Sequence, residues 1–253
     1  MDHHKKKIRI YILCHDDESF HQAHRNFKHF PWAVLHRIES TVFLESHFYA
    51  HVIPTLSLEG LDYVGTLAYK ASDKINLQRL HKYLTYDIYN ENTDPDLVSF
   101  YHQSTTRPMS FSQQAERSHP GIVRILTLVI QAMDEEPSLI FSKQIKAFYG
   151  NYWMARPSWV NEYSIWLRNA MHHMVHHSQI KSLVNQNSGY MWKNKNQRIW
   201  TVFQRTYIPF HPFVAERLPC YFFFSRGVNH YQLGYNAPEK ENNVVDNFFP
   251  LNR

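Results

Sequence analysis

From Ile8 onward the chain alternates short β-branched runs with segments whose apolar residues recur every three or four positions. That alternation restricts it to an α/β architecture with a mostly parallel sheet. Ile8-Arg9-Ile10-Tyr11-Ile12-Leu13-Cys14 reads as a buried strand that stops at the polar cluster His15-Asp16-Asp17-Glu18. A helix is expected to about Phe30, then a second strand at Trp32 to Arg37. Leu44, Phe48, Val52 and Leu56 mark a helix face, and Leu61 to Tyr69 is the central strand. Leu77, Leu80, Leu84 and Ile88 mark another amphipathic helix. Asp94-Pro95 turns the chain into a strand at Leu97 to Tyr101, and a polar loop runs to Ser118. Pro120 is placed to open a buried helix through Ile122, Ile125, Val129 and Met133. Ala147 to Ala155 reads as a strand and Pro157 as the start of a long helix along Trp159, Tyr163, Trp166, Ala170 and Met174. The pattern blurs from Gln179 to Gln197, and Pro212 to Phe224 reads as one last buried helix.

Composition narrows the function classes. The 253 residues are 43% hydrophobic, enough for a sizeable core, and contain only seven glycines, which argues against Gly-rich phosphate loops. Aromatic residues reach 15%; most rings fill cores, though sugar-binding clefts also use their flat faces. The net charge of +5 and pI of 9.1 favour an anionic partner, but acidic and basic residues are interspersed and only Lys5-Lys6-Lys7 forms a run. Cys14 and Cys220 give neither a disulfide framework nor zinc-ligand spacing. The first apolar stretch is too short and charged for a signal peptide, and no window approaches a membrane span. A cytoplasmic protein is expected. The halves of the domain fall at about residues 8–110 and 111–235, with a polar tail or linker at 236–253.

Three blocks carry a family resemblance. Tyr63-Val64-Gly65-Thr66-Leu67-Ala68-Tyr69-Lys70, then Asn151-Tyr152-Trp153-Met154-Ala155-Arg156-Pro157 with Glu162-Tyr163-Ser164-Ile165-Trp166-Leu167, then Pro212-Phe213-Val214-Ala215-Glu216-Arg217-Leu218-Pro219 follow one another in order. They resemble segments of capsular-polysaccharide glycosyltransferases and of glycosyltransferases encoded by large DNA viruses. The resemblance implies a single-domain GT-A-like fold and transfer of a hexose, pentose or deoxyhexose from a nucleotide-diphosphate sugar, UDP-linked before GDP-linked. The acceptor would be a glycan, the location the host cytoplasm if viral, and the chain could be one module of a longer enzyme.

Such chemistry needs a nucleoside pocket, charge compensation for the leaving diphosphate and a base. In open α/β sheets ligands bind beyond the carboxyl ends of strands, which brings Cys14, His15, Asp16, Tyr69, Lys70 and Asn151 into consideration for the nucleotide sugar. Asp16 or Asp17 could accept from ribose hydroxyls; either could equally cap the following helix. Enzymes of this type usually hold Mn²⁺ or Mg²⁺ with an Asp-x-Asp at a strand end. The one such triplet, Asp94-Pro95-Asp96, precedes its strand and reads as a turn. Lys70 could instead compensate the diphosphate, with Asp73 a lone metal ligand at best, so metal-independent activity is also open. Glu216 and His119 are the leading candidates for the base, ahead of Asp16 and Glu162. A carboxylate in so apolar a helix must be paired, for instance with Arg217, or carry a raised pKa.

Two rival readings remain. Basic and aromatic residues at Trp192, Lys193, Lys195, Arg198 and Trp200 suit a single-stranded nucleic-acid binder, although no module signature accompanies them. His172-His173 and His176-His177 suit a metal-dependent hydrolase, but lack a third ligand and a His-Glu-x-x-His glutamate.

Overall fold

The computed structural model of the chain describes residues 6–39, 41–88, 94–100, 109–148, 150–190 and 202–233. Strand β1 (Ile8–Cys14) lies between β2 (Ala33–Arg37) and β3 (Tyr63–Ala68), parallel to both, with Ile10 opposite Ala33 and Gly65. β5 (Trp153–Ala155) follows β3, then β4 (Leu97–Ser99) and β6 (His230–Gln232), giving the order β2-β1-β3-β5-β4-β6. β5 runs antiparallel to both neighbours and β6 parallel to β4, so five of the six strands share one direction. The sheet is therefore mostly parallel, as expected, with one reversed strand inside it. Strands from both expected halves of the chain meet in this one sheet.

Residue alternation along the strands splits the core into two layers. Ile10, Ile12 and Cys14 pack with Tyr63, Leu67 and Met154 under α1 (Asp17–Phe27) and α2 (Leu77–Lys82), which contribute Ala23, Phe27 and Leu80. Tyr11, Leu13, Val64, Trp153 and Ala155 face the opposite, larger layer. That layer holds α3 (Phe111–Ser118), α4 (Ile122–Ala132), α5 (Pro157–His176), α6 (Ser178–Val184), α7 (His211–Ala215) and α8 (Leu218–Ser225). No helix among the described residues is long and apolar enough to cross a membrane.

The departures from expectation have local causes. The strand expected over Ala147 to Ala155 shortens to three residues because Gly150 (φ 70°) and Asn151 (φ 58°) are left-handed, which breaks extended pairing. The helix expected over Pro212 to Phe224 is two helices: Pro219 lacks the amide to continue a helical ladder and instead sits in the first turn of α8. The break leaves Glu216 and Arg217 at the joint. The expected loop before Ser118 contains α3, whose start is a capping box between Ser110 and Gln113. Pro120 lies one residue outside its helix, because Gly121 (φ 92°) is the N-cap. Leu44 to Leu56 forms a π-helical turn (Phe48–Val52) and a 3₁₀ turn (Ile53–Thr55) in place of one regular helix. Residues 192–200 of the nucleic-acid reading and the tail at 236–253 lie outside the described residues.

Candidate functional site

Parallel strands bring the residues that follow β1 and β3, His15 and Tyr69-Lys70, to one edge of the sheet. Because β5 is reversed, its amino end reaches the same edge, and with it Asn151 and Tyr152. The contacts confirm the convergence. His15 and Tyr69 meet edge to face, ring centroids 6.3 Å apart, and the Lys70 ammonium lies 5.2 Å from the Tyr69 ring. Lys74 lies 5.3 Å from the Tyr152 ring. His15 Nε2 is 3.3 Å from Glu45 Oε1, a carboxylate that sequence reasoning missed.

Glu45 and Glu216 form the electrostatic centre of this cluster. The His15 hydrogen bond and charge, with Lys74 beyond, hold the Glu45 carboxyl below its usual range despite desolvation. Burial, and then the like charge of Glu45, push Glu216 up to about 7 from 4.5, against the pull of Arg217 and Lys74. The two carboxylates are thus driven in opposite directions, the arrangement by which one fold keeps a base ionised and another group poised near neutrality. Tyr190 packs on Phe213, centroids 5.2 Å apart, one helical turn before Glu216; burial, then the charge of Glu216, raise its hydroxyl against the pull of Lys70.

Asn151 is locked in place. Its carbonyl accepts from Thr66 Oγ1 (2.7 Å), which also bonds the Tyr49 hydroxyl (3.0 Å), and its Nδ2 donates to Ser46 Oγ (3.1 Å). The residue is 2% exposed, and its Oδ1 has no hydrogen-bond partner among the described residues. A buried acceptor left in this state is costly unless something polar reaches it.

The other sequence candidates fall elsewhere. Cys14 is fully buried in the apolar layer beneath α1, where burial pushes its thiol up to about 11. Asp16 is the N-cap of α1, accepting from Ser19 N at 2.8 Å in a capping box, and Asp17 pairs with Arg37 at 2.6 Å. His119 is buried and stacks on Phe213 with centroids 3.9 Å apart; its Nδ1 donates to the Ser188 carbonyl over 3.4 Å. Burial, with Arg217 nearby, lowers it to about 4. Glu162 stands 3.7 Å from Arg226 beside the bidentate Arg226–Glu135 pair. Asp94 pairs with Lys6 and Arg156 at the amino end of β4, a structural clasp.

Asp73 is exposed at the end of a 3₁₀ turn, its amide bonded to the Lys70 carbonyl. His172 and His176 lie ring to ring at 4.5 Å on the outer face of α5. Among the described residues no three His, Cys, Asp or Glu side chains converge to hold a metal ion. Replacing Asp73 by Ala is expected to change any Mn²⁺-dependent activity less than about twofold at sub-saturating Mn²⁺, since an exposed single carboxylate holds a divalent ion weakly. A tenfold loss recovered by more Mn²⁺ would return Asp73 to the metal role.

No protein-family profile, curated protein or solved structure matches the chain. The site is read from its own chemistry. Glu45, Lys74 and Tyr190 were invisible to sequence reasoning because each looks like an ordinary surface residue until the fold gathers it.

Proposed function

We propose that the protein is a glycosyltransferase that uses a nucleotide-diphosphate sugar, UDP-linked in preference to GDP-linked, and a glycan acceptor. The observation that carries this reading is the gathering of His15, Tyr69-Lys70, Tyr152 and Lys74 at one end of strands β1, β3 and β5, with Glu216, a carboxylate that feels Glu45 and Lys74 and whose proton affinity burial raises. The three ordered blocks add support, since Lys70, Asn151 and Glu216 each belong to one of them. A GT-A-like arrangement and a cytoplasmic location belong to the same proposal.

In this reading the diphosphate lies toward Lys70 and Lys74, where two ammonium groups offset charge as it grows on the departing phosphate oxygen. The acceptor hydroxyl hands its proton to the Glu216 carboxylate while its oxygen attacks the anomeric carbon. The carbon–oxygen bond to the diphosphate breaks and the diphosphate leaves with that electron pair. Glu216 suits the role better than His119, whose lowered basicity and tight stacking make it a support for Phe213. Glu45, fixed by His15, acts on Glu216 at a distance by keeping its proton affinity high.

A thermal-shift screen against UDP, GDP and CMP sugars, with and without Mn²⁺, tests the proposal. A stabilisation of about 2–3 kcal/mol is expected at a ligand concentration of 100 Kd. If every nucleotide sugar leaves the melting point unmoved, the reading fails. Within it, Glu45→Gln removes the like charge, so the limb of the pH–rate profile assigned to Glu216 should move to lower pH. An unmoved limb would detach Glu45 from the base.

A further inference from the structure

The geometry points to Tyr190 as the platform on which the acceptor sugar stacks, and so as a specificity-determining residue of the crevice. The inference rests on the glycosyl-transfer reading and deepens it on the acceptor side.

Tyr190 is 41% exposed, one of five large apolar side chains left open among the described residues. Its ring is nevertheless held. It packs on Phe213 with centroids 5.2 Å apart, and His119 lies behind, 6.0 Å from Tyr190 and stacked on the same Phe213. The chain leading to it is fixed as well: Asn187 bridges to Pro209, Ser188 Oγ donates to the Ile208 carbonyl at 2.7 Å, and Gly189 N donates to Asn187 Oδ1 at 2.9 Å. Gly189 turns there with φ 72°.

An exposed ring held this firmly loses little conformational freedom when a ligand covers it, which is what a binding platform requires. Its position names the ligand. The ring rests on Phe213, which stands one helical turn before Glu216 at the end of α7. A pyranose has an apolar C–H face that suits an aromatic ring and an equatorial rim of hydroxyls. Stacked on Tyr190, such a ring presents its rim toward the Glu216 carboxylate, so the platform selects which hydroxyl is delivered to the base.

The test uses the full chain with the nucleotide sugar chosen by the thermal-shift screen, and the methyl glycosides of glucose, galactose, xylose and rhamnose as acceptor probes. Tyr190→Ala should raise the acceptor KM about tenfold while leaving the donor KM unchanged, as removal of one stacking face implies. Tyr190→Phe should keep the wild-type acceptor KM, and Tyr190→Trp should lower it. The indole fluorescence of Tyr190→Trp should also respond to the preferred glycoside added alone. An unchanged acceptor KM in Tyr190→Ala overturns the inference while leaving glycosyl transfer standing. A raised donor KM overturns it too, because the ring would then be stacking the nucleobase. A wild-type chain that neither transfers nor hydrolyses any nucleotide sugar removes both readings together.

Discussion

In the proposed transfer reaction, replacing Glu216 by Gln should lower turnover by about 10²–10⁴-fold, the range contributed by a positioned general base. The same change should stabilise the protein at alkaline pH, and the sign follows from linkage. Burial and Glu45 raise Glu216 from 4.5 to about 7, so the folded chain holds this proton more tightly than the unfolded one. The stabilisation is complete below about pH 4.5 and is lost as pH rises through 7. Above that, the ionised carboxylate opposes folding by on the order of 3 kcal/mol, a penalty that the neutral amide avoids. Wild type and variant should therefore melt alike near pH 4 and diverge near pH 8, with the variant more stable. The wild-type kcat/KM profile should rise with an apparent pKa near 7, and that limb should vanish in the variant. Normal turnover in Glu216→Gln would end its candidacy, and a variant less stable at pH 8 would contradict the burial argument.

Gly65→Ala should abolish folding at ordinary temperature. Gly65 faces Met154 across the β3–β5 pair, and a Cβ there would stand 2.2 Å from the Trp153 carbonyl oxygen and 2.7 Å from Met154 Cα. Both obstacles are backbone, so no side-chain rotation relieves the clash. The strands must part, with loss of several kcal/mol, comparable to the whole margin of a typical domain. Circular dichroism and the soluble yield of Gly65→Ala beside Gly60→Ala check this. Gly60 has open space around its missing Cβ and lies outside the sheet, so only its φ of 71° resists the change, and it should be far milder.

Much of the fold was legible because its signals are local. The run at Ile8 to Cys14, broken only by Arg9 at its half-buried start, became β1 with the same limits, since a strand buried on both faces must be apolar over its buried stretch. Pro157 opened the long helix at the expected residue. The split of the last helix was missed: Pro212 to Phe224 reads as one apolar run, and that reading gives no weight to the break that Pro219 imposes within it. The three-residue strands β4, β5 and β6 could not be delimited, because their ends depend on cross-strand partners far away in sequence. The crevice was half legible. His15, Tyr69, Lys70 and Asn151 follow from the rule of strand ends, whereas Glu45 and Tyr190 sit in irregular segments whose destination no periodicity predicts. The Asp16 ambiguity resolved toward capping, since the local bond to Ser19 forms before any ligand can compete for it.

The reversed strand has a consequence for how the protein emerges from the ribosome. β1, β2 and β3 are complete by residue 68, yet the free side of β3, and both sides of β4, wait for partners at residues 153–155 and 230–232. Throughout that interval an unpaired row of amides and carbonyls is open to neighbouring nascent chains. A fragment ending near residue 150 should accordingly precipitate or bind chaperones, and synthesis that stalls between β4 and β5 is the moment when aggregation begins.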